Sequence, residues 1–332
     1  MIKIAINGFG RIGRATAKIL LDMSGIDLVA INDLGDIATL SHLLKYDTCY
    51  GIYEKEVGYD EDSLIVNNHK TLFFSEKKPE DLPWESLGID VVIESTGHFL
   101  TYPDAKKHFE AGAKKVVLSA PAKDDKIPTF VFGANDKDYQ GEKIISNASC
   151  TTNCIAPVIK ILDDVFGVEK SLMTTVHSYT ADQNLVDGPH KDLRRARAAA
   201  LNIVPTTTGA ALAAAKTVKS LEGRFDGLSI RVPTPIVSIA DVTALIGKKT
   251  DVETINKVLC DAAETSHTKI VVCTEEPLVS SDLIKNPASA IVDLLLTQVV
   301  KGDLIKVVAW YDNEWGYSCR LAEMAELVAN HK

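Results

Sequence analysis

Short apolar runs and helical stretches alternate through the first 149 residues of this 332-residue chain, the pattern of a mostly parallel sheet with helices between its strands. Residues 2–6, 27–32, 90–94, 115–119 and 129–132 read as strands, and 11–23, 37–44 and 102–111 as helices. Beyond residue 150 the apolar runs lengthen. Those at 172–177, 228–232, 236–245 and 305–311 include stretches that alternate apolar with polar positions. That texture predicts a larger antiparallel or mixed sheet covered on one face, interrupted between two strands by Pro233 and Pro235. Pro157 suits the first turn of a helix, which starts the helix near that residue and leaves Cys150 in the preceding loop. In the last segment, 316–330, Leu321, Met324, Ala325 and Val328 recur at helical spacing. Period alone leaves open which domain that helix packs on.

The length calls for two domains, and 46% hydrophobic with 24% charged residues is the balance of a globular protein. No apolar run is long enough to span a bilayer, and the opening residues read as a buried strand rather than a cleavable leader. The expected location is therefore the cytoplasm. Six cysteines scattered through a long chain make a disulfide framework an unsuitable reading, and no spacing among them and the eight histidines suggests a closed zinc site. No metal is expected. A net charge of −9 argues against general nucleic-acid binding, so any phosphate site must be built from local donors.

Gly8-Phe9-Gly10-Arg11-Ile12-Gly13 follows a strand and opens a helix, the context a dinucleotide-binding loop requires. Gly8 permits the tight turn, Gly10 lets the backbone approach a pyrophosphate, and Gly13 lets helix and strand pack closely. Asp33, twenty positions beyond Gly13, closes the second strand, where a carboxylate accepts hydrogen bonds from a ribose and repels a 2′-phosphate. The cofactor this selects is NAD. The expected fold class is thus α/β: an N-terminal Rossmann domain over 1–149, completed by the C-terminal helix 316–332, and a catalytic α+β domain over 150–315 with a large, mostly antiparallel sheet.

Ser149-Cys150-Thr151-Thr152-Asn153-Cys154 sets a cysteine between hydroxyl residues where a strand run gives way to an apolar stretch. Unpaired backbone N–H groups there favour a thiolate, although free cysteines more often simply pack. A nucleophilic thiol needs a base, and His177 at the end of the 172–176 run is the best placed by sequence. Donors suited to small phosphates follow: Thr180 with Asp182, Arg195 in a basic cluster, Thr208-Gly209, and Arg231. A cluster of basic residues is by default a solvated helix face, so their association with a thiol and a histidine is what gives them weight.

With these motifs in this order, the chain resembles phosphorylating glyceraldehyde-3-phosphate dehydrogenases over nearly its whole length. The resemblance is carried by Ile6 to Arg14, Glu94-Ser95-Thr96-Gly97, Leu118-Ser119-Ala120-Pro121, Ser149 to Cys154, His177 to Thr180, Pro205 to Ala210, Arg231 to Pro235 and Trp310 to Tyr317. It implies a covalent mechanism: Cys150 attacks an aldehyde, His177 takes the proton, hydride leaves to NAD, and inorganic phosphate releases the thioester as an acyl phosphate. It further implies that Thr180, Asp182 and Arg231 bind the phosphate of glyceraldehyde 3-phosphate. Ser149, Thr151, Thr208 and Gly209 would bind the attacking phosphate, with Arg195 serving one or both. Asn7, Gly8, Gly10, Arg11, Ile12, Gly13, Asp33, Lys77, Ser95, Thr96, Gly97, Ser119 and Asn313 would contact the cofactor. The family's C-terminal helix returns to the nucleotide domain, and its members are usually homotetramers in which residues 178–203 form an interface loop. Lys77-Lys78 stand where many members have an arginine, and a lysine cannot stack on adenine in the same way. Erythrose-4-phosphate dehydrogenase shares most of these motifs and is the alternative. Reductases of aspartyl or glutamyl phosphate fit the 177–231 motifs poorly, and a non-catalytic thiol sensor would not need the full set. Cys154 is assigned to packing.

Overall fold

The computed structural model describes residues 1–331. The chain divides into two compact units. One contains Met1–Phe130, Asp138–Ala148 and the chain from Ser318 onward; the other contains Val131–Lys137 and Ser149–Tyr317.

The first unit is built on β1 (Ile2–Asn7), α1 (Arg11–Leu20), β2 (Ile26–Asn32) and α2 (Ile37–Lys45). A small hairpin of β3 (Tyr46–Asp47) and β4 (Gly51–Ile52) follows, then β5 (Val57–Tyr59), β6 (Ser63–Val66) and β7 (His69–Phe74). The unit continues with α3 (Trp84–Leu87), β8 (Val91–Glu94), α4 (Tyr102–Ala105), α5 (Lys107–Glu110), β9 (Lys115–Leu118) and β10 (Ile144–Ser146). Its sheet runs β10-β9-β8-β1-β2-β7-β6-β5 and is parallel from β10 through β7, with β6 and β5 added antiparallel. The inner strands are buried on both faces at their centres, as the unbroken apolar runs at 4–6 and 91–93 require. Strand order reverses between β1 and β8, so the loops after Asn7 and Glu94 leave the sheet side by side, where such folds bind ligands.

Two expectations need correction here. Residues 129–132 form no strand: Thr129 makes an isolated bridge to Ser146, and Gly133 turns the chain with φ of +77°. The single helix expected over 102–111 is two short ones, because Phe109 N–H bonds back three residues to the Lys106 carbonyl and tightens the turn.

The second unit contains α6 (Cys150–Phe166), β11 (Val168–Ser178), β12 (Val204–Thr207), α7 (Ala210–Thr217), β13 (Phe225–Val232), β14 (Ser238–Ile246) and α8 (Val252–Glu264). It continues with β15 (Val271–Thr274), β16 (Ala290–Asp293), β17 (Gln298–Val300) and β18 (Leu304–Tyr311). Its sheet runs β12-β13-β11-β14-β18-β16-β15, with β17 beside β18, and is parallel only at β11–β13 and β15–β16. Pro233 and Pro235 fall in the break between β13 and β14. Helix α6 begins at Cys150, not near Pro157, which lies inside it. An interior proline costs about 3 kcal/mol. That cost is offset because α6 buries residues 151–159 without a gap and because Ser149 caps its first turn.

The last helix, α9 (Trp315–Asn330), buries Leu321, Met324, Ala325 and Val328 completely, and from Ser318 on it groups with the first unit. Lys115 Nζ donates to the Val328 carbonyl at 2.7 Å. Lys332, the end of the expected 316–332 segment, lies outside the described residues.

Candidate active site

The glycine loop of the first unit is formed by contact. Gly8 adopts φ of +99°, and a Cβ there would lie 2.6 Å from the Ser95 carbonyl carbon and the Thr96 nitrogen. A Cβ on Gly13 would collide with the Gly8 carbonyl oxygen, so α1 packs against β1 only because that position is bare. A Cβ on Gly10 would meet nothing within 4 Å, and the residue leads into α1, which has no side-chain cap. An open backbone at a helix start is the setting a pyrophosphate needs, so these residues fit NAD. Asp33 braces the loop, accepting from Phe9 N–H at 2.6 Å and Gly35 N–H at 2.8 Å. Ile12 lies in the first turn of α1, and the Arg11 guanidinium pairs with Asp47 at 2.8 Å.

Beneath the loop lies a buried polar network that sequence reasoning missed. Glu94 and His108 are fully buried. Glu94 accepts from Asn7 Nδ2 at 2.6 Å, from Thr96 N–H at 2.8 Å and from the Thr96 hydroxyl at 2.5 Å. Trp84 Nε1–H donates to His108 Nδ1 at 3.2 Å. An indole can only donate, so the His108 proton sits on Nε2, 3.1 Å from Glu94. Asn32 links Asn7 to the backbone of Glu76, beside exposed Lys77. Ser95 Oγ donates to the Gly8 carbonyl, Gly97 turns with φ of +75°, and Ser119 N–H bonds to the Glu94 carbonyl.

In the second unit, Cys150 is the first residue of α6, behind the Ser149 hydroxyl that accepts from Thr152 N–H at 3.1 Å. His177 Nε2 lies 3.5 Å from Cys150 Sγ. Strand register does the rest: His177 on β11 sits opposite Arg231 on parallel β13. Arg231 Nη1 lies 2.9 Å from the Ser178 carbonyl, 3.0 Å from His177 Nδ1 and 3.2 Å from the Thr180 hydroxyl, and its two protons go to the two oxygens. His177 Nδ1, 2.7 Å from the same carbonyl, is then its donor, which leaves the Nε2 lone pair facing the thiol.

The electrostatics favour a neutral pair. Burial pushes the Cys150 thiol above the ordinary thiol range, against the pull of Arg231. The sequence favours a thiolate at this helix terminus; in the structure desolvation opposes it and outweighs the N–H groups. Burial, and then the Arg231 charge, drop His177 to about 3, so its imidazole is an uncharged acceptor at neutral pH.

Around this pair, Arg195 joins Asp182 at 2.6 Å, the Thr206 hydroxyl at 3.0 Å and the Thr207 carbonyl at 3.2 Å. Asp182 accepts from the Thr180 hydroxyl, which ties Arg195 through to Arg231. Burial opposes the Asp182 carboxylate, but the Thr180 hydroxyl and the two arginines keep its pKa low. Arg231 Nε is buried without a hydrogen-bond partner among the described residues. Thr208 Oγ1 accepts from Ala210 N–H at 3.2 Å, and a Cβ on Gly209 would meet nothing, so the start of α7 is open. The Thr151 hydroxyl instead turns inward to Tyr311 at 2.8 Å, leaving the backbone N–H as that residue's contribution to an anion. Tyr311 was not singled out by sequence; its hydroxyl also lies 2.8 Å from Thr175, and its ring meets His177 edge-on at 5.9 Å. Asn313 Oδ1 is fixed by the hydroxyls of Ser178 (2.9 Å) and Ser238 (3.1 Å). Cys154 is fully buried. No group of metal-ligating side chains occurs among the described residues, and no helix is long and apolar enough to cross a membrane.

Two family models match the chain. Residues 2–102 match "Glyceraldehyde 3-phosphate dehydrogenase, NAD binding domain" and residues 149–313 match "Glyceraldehyde 3-phosphate dehydrogenase, C-terminal domain". The chain is 51% identical over 333 residues to glyceraldehyde-3-phosphate dehydrogenase 2 of Bacillus subtilis, covering 99% of this chain and 97% of that one. It is 50% identical over 331 residues to glyceraldehyde-3-phosphate dehydrogenase of Geobacillus stearothermophilus, covering 99% and 98%. Identity to the chloroplastic glyceraldehyde-3-phosphate dehydrogenase A of Zea mays is 50% over 334 residues, 99% of this chain and 83% of the relative.

Proposed function

The chain belongs to the glyceraldehyde-3-phosphate dehydrogenase family, and on that premise we propose that it oxidises glyceraldehyde 3-phosphate to 1,3-bisphosphoglycerate with NAD and inorganic phosphate. The observation that carries this reading is the contact between Cys150 and His177, with Arg231 in register beside it. His177 Nε2 takes the thiol proton as Sγ attacks the aldehyde carbon and passes it to the carbonyl oxygen as the hemithioacetal forms. It takes the proton back when hydride leaves that carbon, and a thioester to Cys150 remains. NAD, held by the glycine loop, Asp33, Thr96 and Asn313, supplies the hydride acceptor when bound. Inorganic phosphate attacks the thioester carbonyl, the carbon–sulfur bond breaks, and the thiolate leaves with the acyl phosphate released. A thioester conserves the energy of oxidation that hydrolysis would lose.

Thr180, Asp182 and Arg231 receive the substrate's phosphate, and the unpaired Arg231 Nε supports that assignment. Ser149, the Thr151 backbone, Thr208 and Gly209 receive the attacking phosphate, with Arg195 between the two groups. Lys77 is assigned to the cofactor, where a lysine can reach a phosphate but cannot stack on adenine as an arginine would. The first unit is the nucleotide domain and the second the catalytic domain. We assign the protein to the cytoplasm as a homotetramer; the outward face of the second sheet, with Leu172 68% and Leu228 45% exposed, supports a covering copy.

The test is NADH formation from glyceraldehyde 3-phosphate, run with and without phosphate, with NADP in place of NAD, and with erythrose 4-phosphate as competitor. Cys150→Ser is expected to bind NAD but form no NADH; retained turnover would sink the mechanism.

A further inference from the structure

Away from the Cys150–His177 pair, the second unit brings two other thiols together. Cys260 lies in the later turns of α8, on one helix face with Ala263 and Glu264. Cys273 lies on β15 two residues beyond fully buried Val271, so strand alternation turns it to the same side. Both are half-buried and line one cavity of about 400 Å³. Ala263 and Val271 supply much of its apolar wall, and Glu264 and Glu275 its rim. Neither thiol has a place in the chemistry at Cys150.

We propose that Cys260 and Cys273 form a reversible intrachain disulfide when the protein meets a peroxide, a modification site separate from the catalytic cysteine. The Cys260 sulfur attacks the peroxide oxygen, the O–O bond breaks, and water leaves a sulfenic acid on Cys260. Cys273 then attacks that sulfur, its thiol proton leaves with the hydroxyl as a second water, and the S–S bond forms. Two thiols are oxidised by two electrons and one peroxide is reduced. A small-molecule thiol reverses the step by exchange. The order of attack follows from the surroundings. Burial, and then a hydrogen bond to Cys260, hold Cys273 as a thiol, the form in which it takes the second step. Transient disulfides of this kind are the sort a reducing compartment permits.

The bond would tie the end of α8 to β15 and close the loop between them. That loop carries His267, whose Nε2 lies 2.8 Å from the Gly133 carbonyl in the same unit.

Peptide mapping of the whole protein tests this directly. Cleavage after Lys257, Lys269 and Lys285 places Cys260 and Cys273 on separate peptides, 258–269 and 270–285, with Cys150 on neither. After hydrogen peroxide and alkylation without reductant, more than half of these two peptides should run as one linked species, separated again by dithiothreitol. Cys273→Ala should abolish the link and carry Cys260 on to sulfinic acid. Cys260→Ser should leave turnover of the untreated protein unchanged and block the link. The proposal is overturned if both peptides stay separately alkylated at peroxide doses that fully oxidise Cys150, or if Cys260 over-oxidises with Cys273 still present. Because the readout is a peptide mass, it stands whether or not the protein turns over glyceraldehyde 3-phosphate.

Discussion

Replacing Arg231 with glutamine should move His177 and Cys150 in the same direction, and by a measurable amount. Arg231 Nη1 lies 3.0 Å from His177 Nδ1, and its charge is the second cause, after burial, of the drop in His177 to about 3. A unit charge about 4 Å away contributes between roughly 1 kcal/mol in water and 4 kcal/mol at an effective dielectric constant of 20, or about one to three pKa units. Removing it should therefore raise His177 toward, but not to, its ordinary value of 6.5, since burial remains. The same cation pulls Cys150 down, so the thiol should rise further. With carbon-labelled histidine, the native His177 ring should show no titration between pH 8 and 5, whereas the variant's should begin to shift in that window. The rise of kcat with pH should move to higher pH alongside. Each lost charge-assisted contact to the substrate's phosphate, at about 1.5–3 kcal/mol, should lower kcat/KM by roughly 10- to 100-fold. A silent His177 ring in the variant, or a thiol that alkylates at lower pH than in the native protein, would refute the reasoning.

Other substitutions probe the remaining links. Gly13→Ala sets a methyl group against the Gly8 carbonyl oxygen and should weaken NAD binding at least tenfold by titration; affinity within twofold of native would mean the loop yields easily. His108→Leu removes a donor from buried Glu94 and should raise the Kd for NAD several-fold, while His108→Gln, which keeps a donor, should largely restore it. A loss of thermal stability with unchanged Kd would make His108 merely structural. His177 binds its proton near pH 3 when folded and near 6.5 when unfolded, so its contribution to stability is complete above pH 6.5 and is lost as pH falls toward 3. In His177→Asn, the slope of unfolding free energy against pH should be shallower in that window by up to one proton, measured by urea titration.

Much of the nucleotide-binding unit is legible in the chain because the centres of its strands are buried on both faces and announce themselves as short apolar runs. The extension β5–β7 does not, since its strands mix exposed and polar positions with apolar ones and their pairing is set by neighbours rather than by composition. Residues 129–132 fail for the opposite reason. They are apolar enough for a strand, yet the Gly133 turn leaves room for only one bridge. At α6 a local rule gave way to packing: proline chemistry starts the helix at Pro157, but a continuous buried face and the Ser149 cap begin it seven residues earlier.

The chemistry at Cys150 was legible as a set of residue types and not as an arrangement, and the difference is one of register. Alternation along a strand tells which side chains share a face, but it does not say which residue of a partner strand stands opposite. Only the parallel pairing of β11 with β13 sets Arg231 beside His177, and that pairing adds a cation to the burial that already lowers the imidazole's basicity. Burial first, and then the cation that would bind the substrate's phosphate, keep the imidazole uncharged and its Nε2 free to accept. His108 was invisible for the same reason. It reads as one more helical histidine until the fold places Trp84 on one ring nitrogen and Glu94 on the other. A single histidine is ambiguous in a sequence because either nitrogen can carry the proton. In both units a neighbour of fixed hydrogen-bonding character, a backbone carbonyl at His177 and an indole N–H at His108, removes that ambiguity, and with it the choice between base and support.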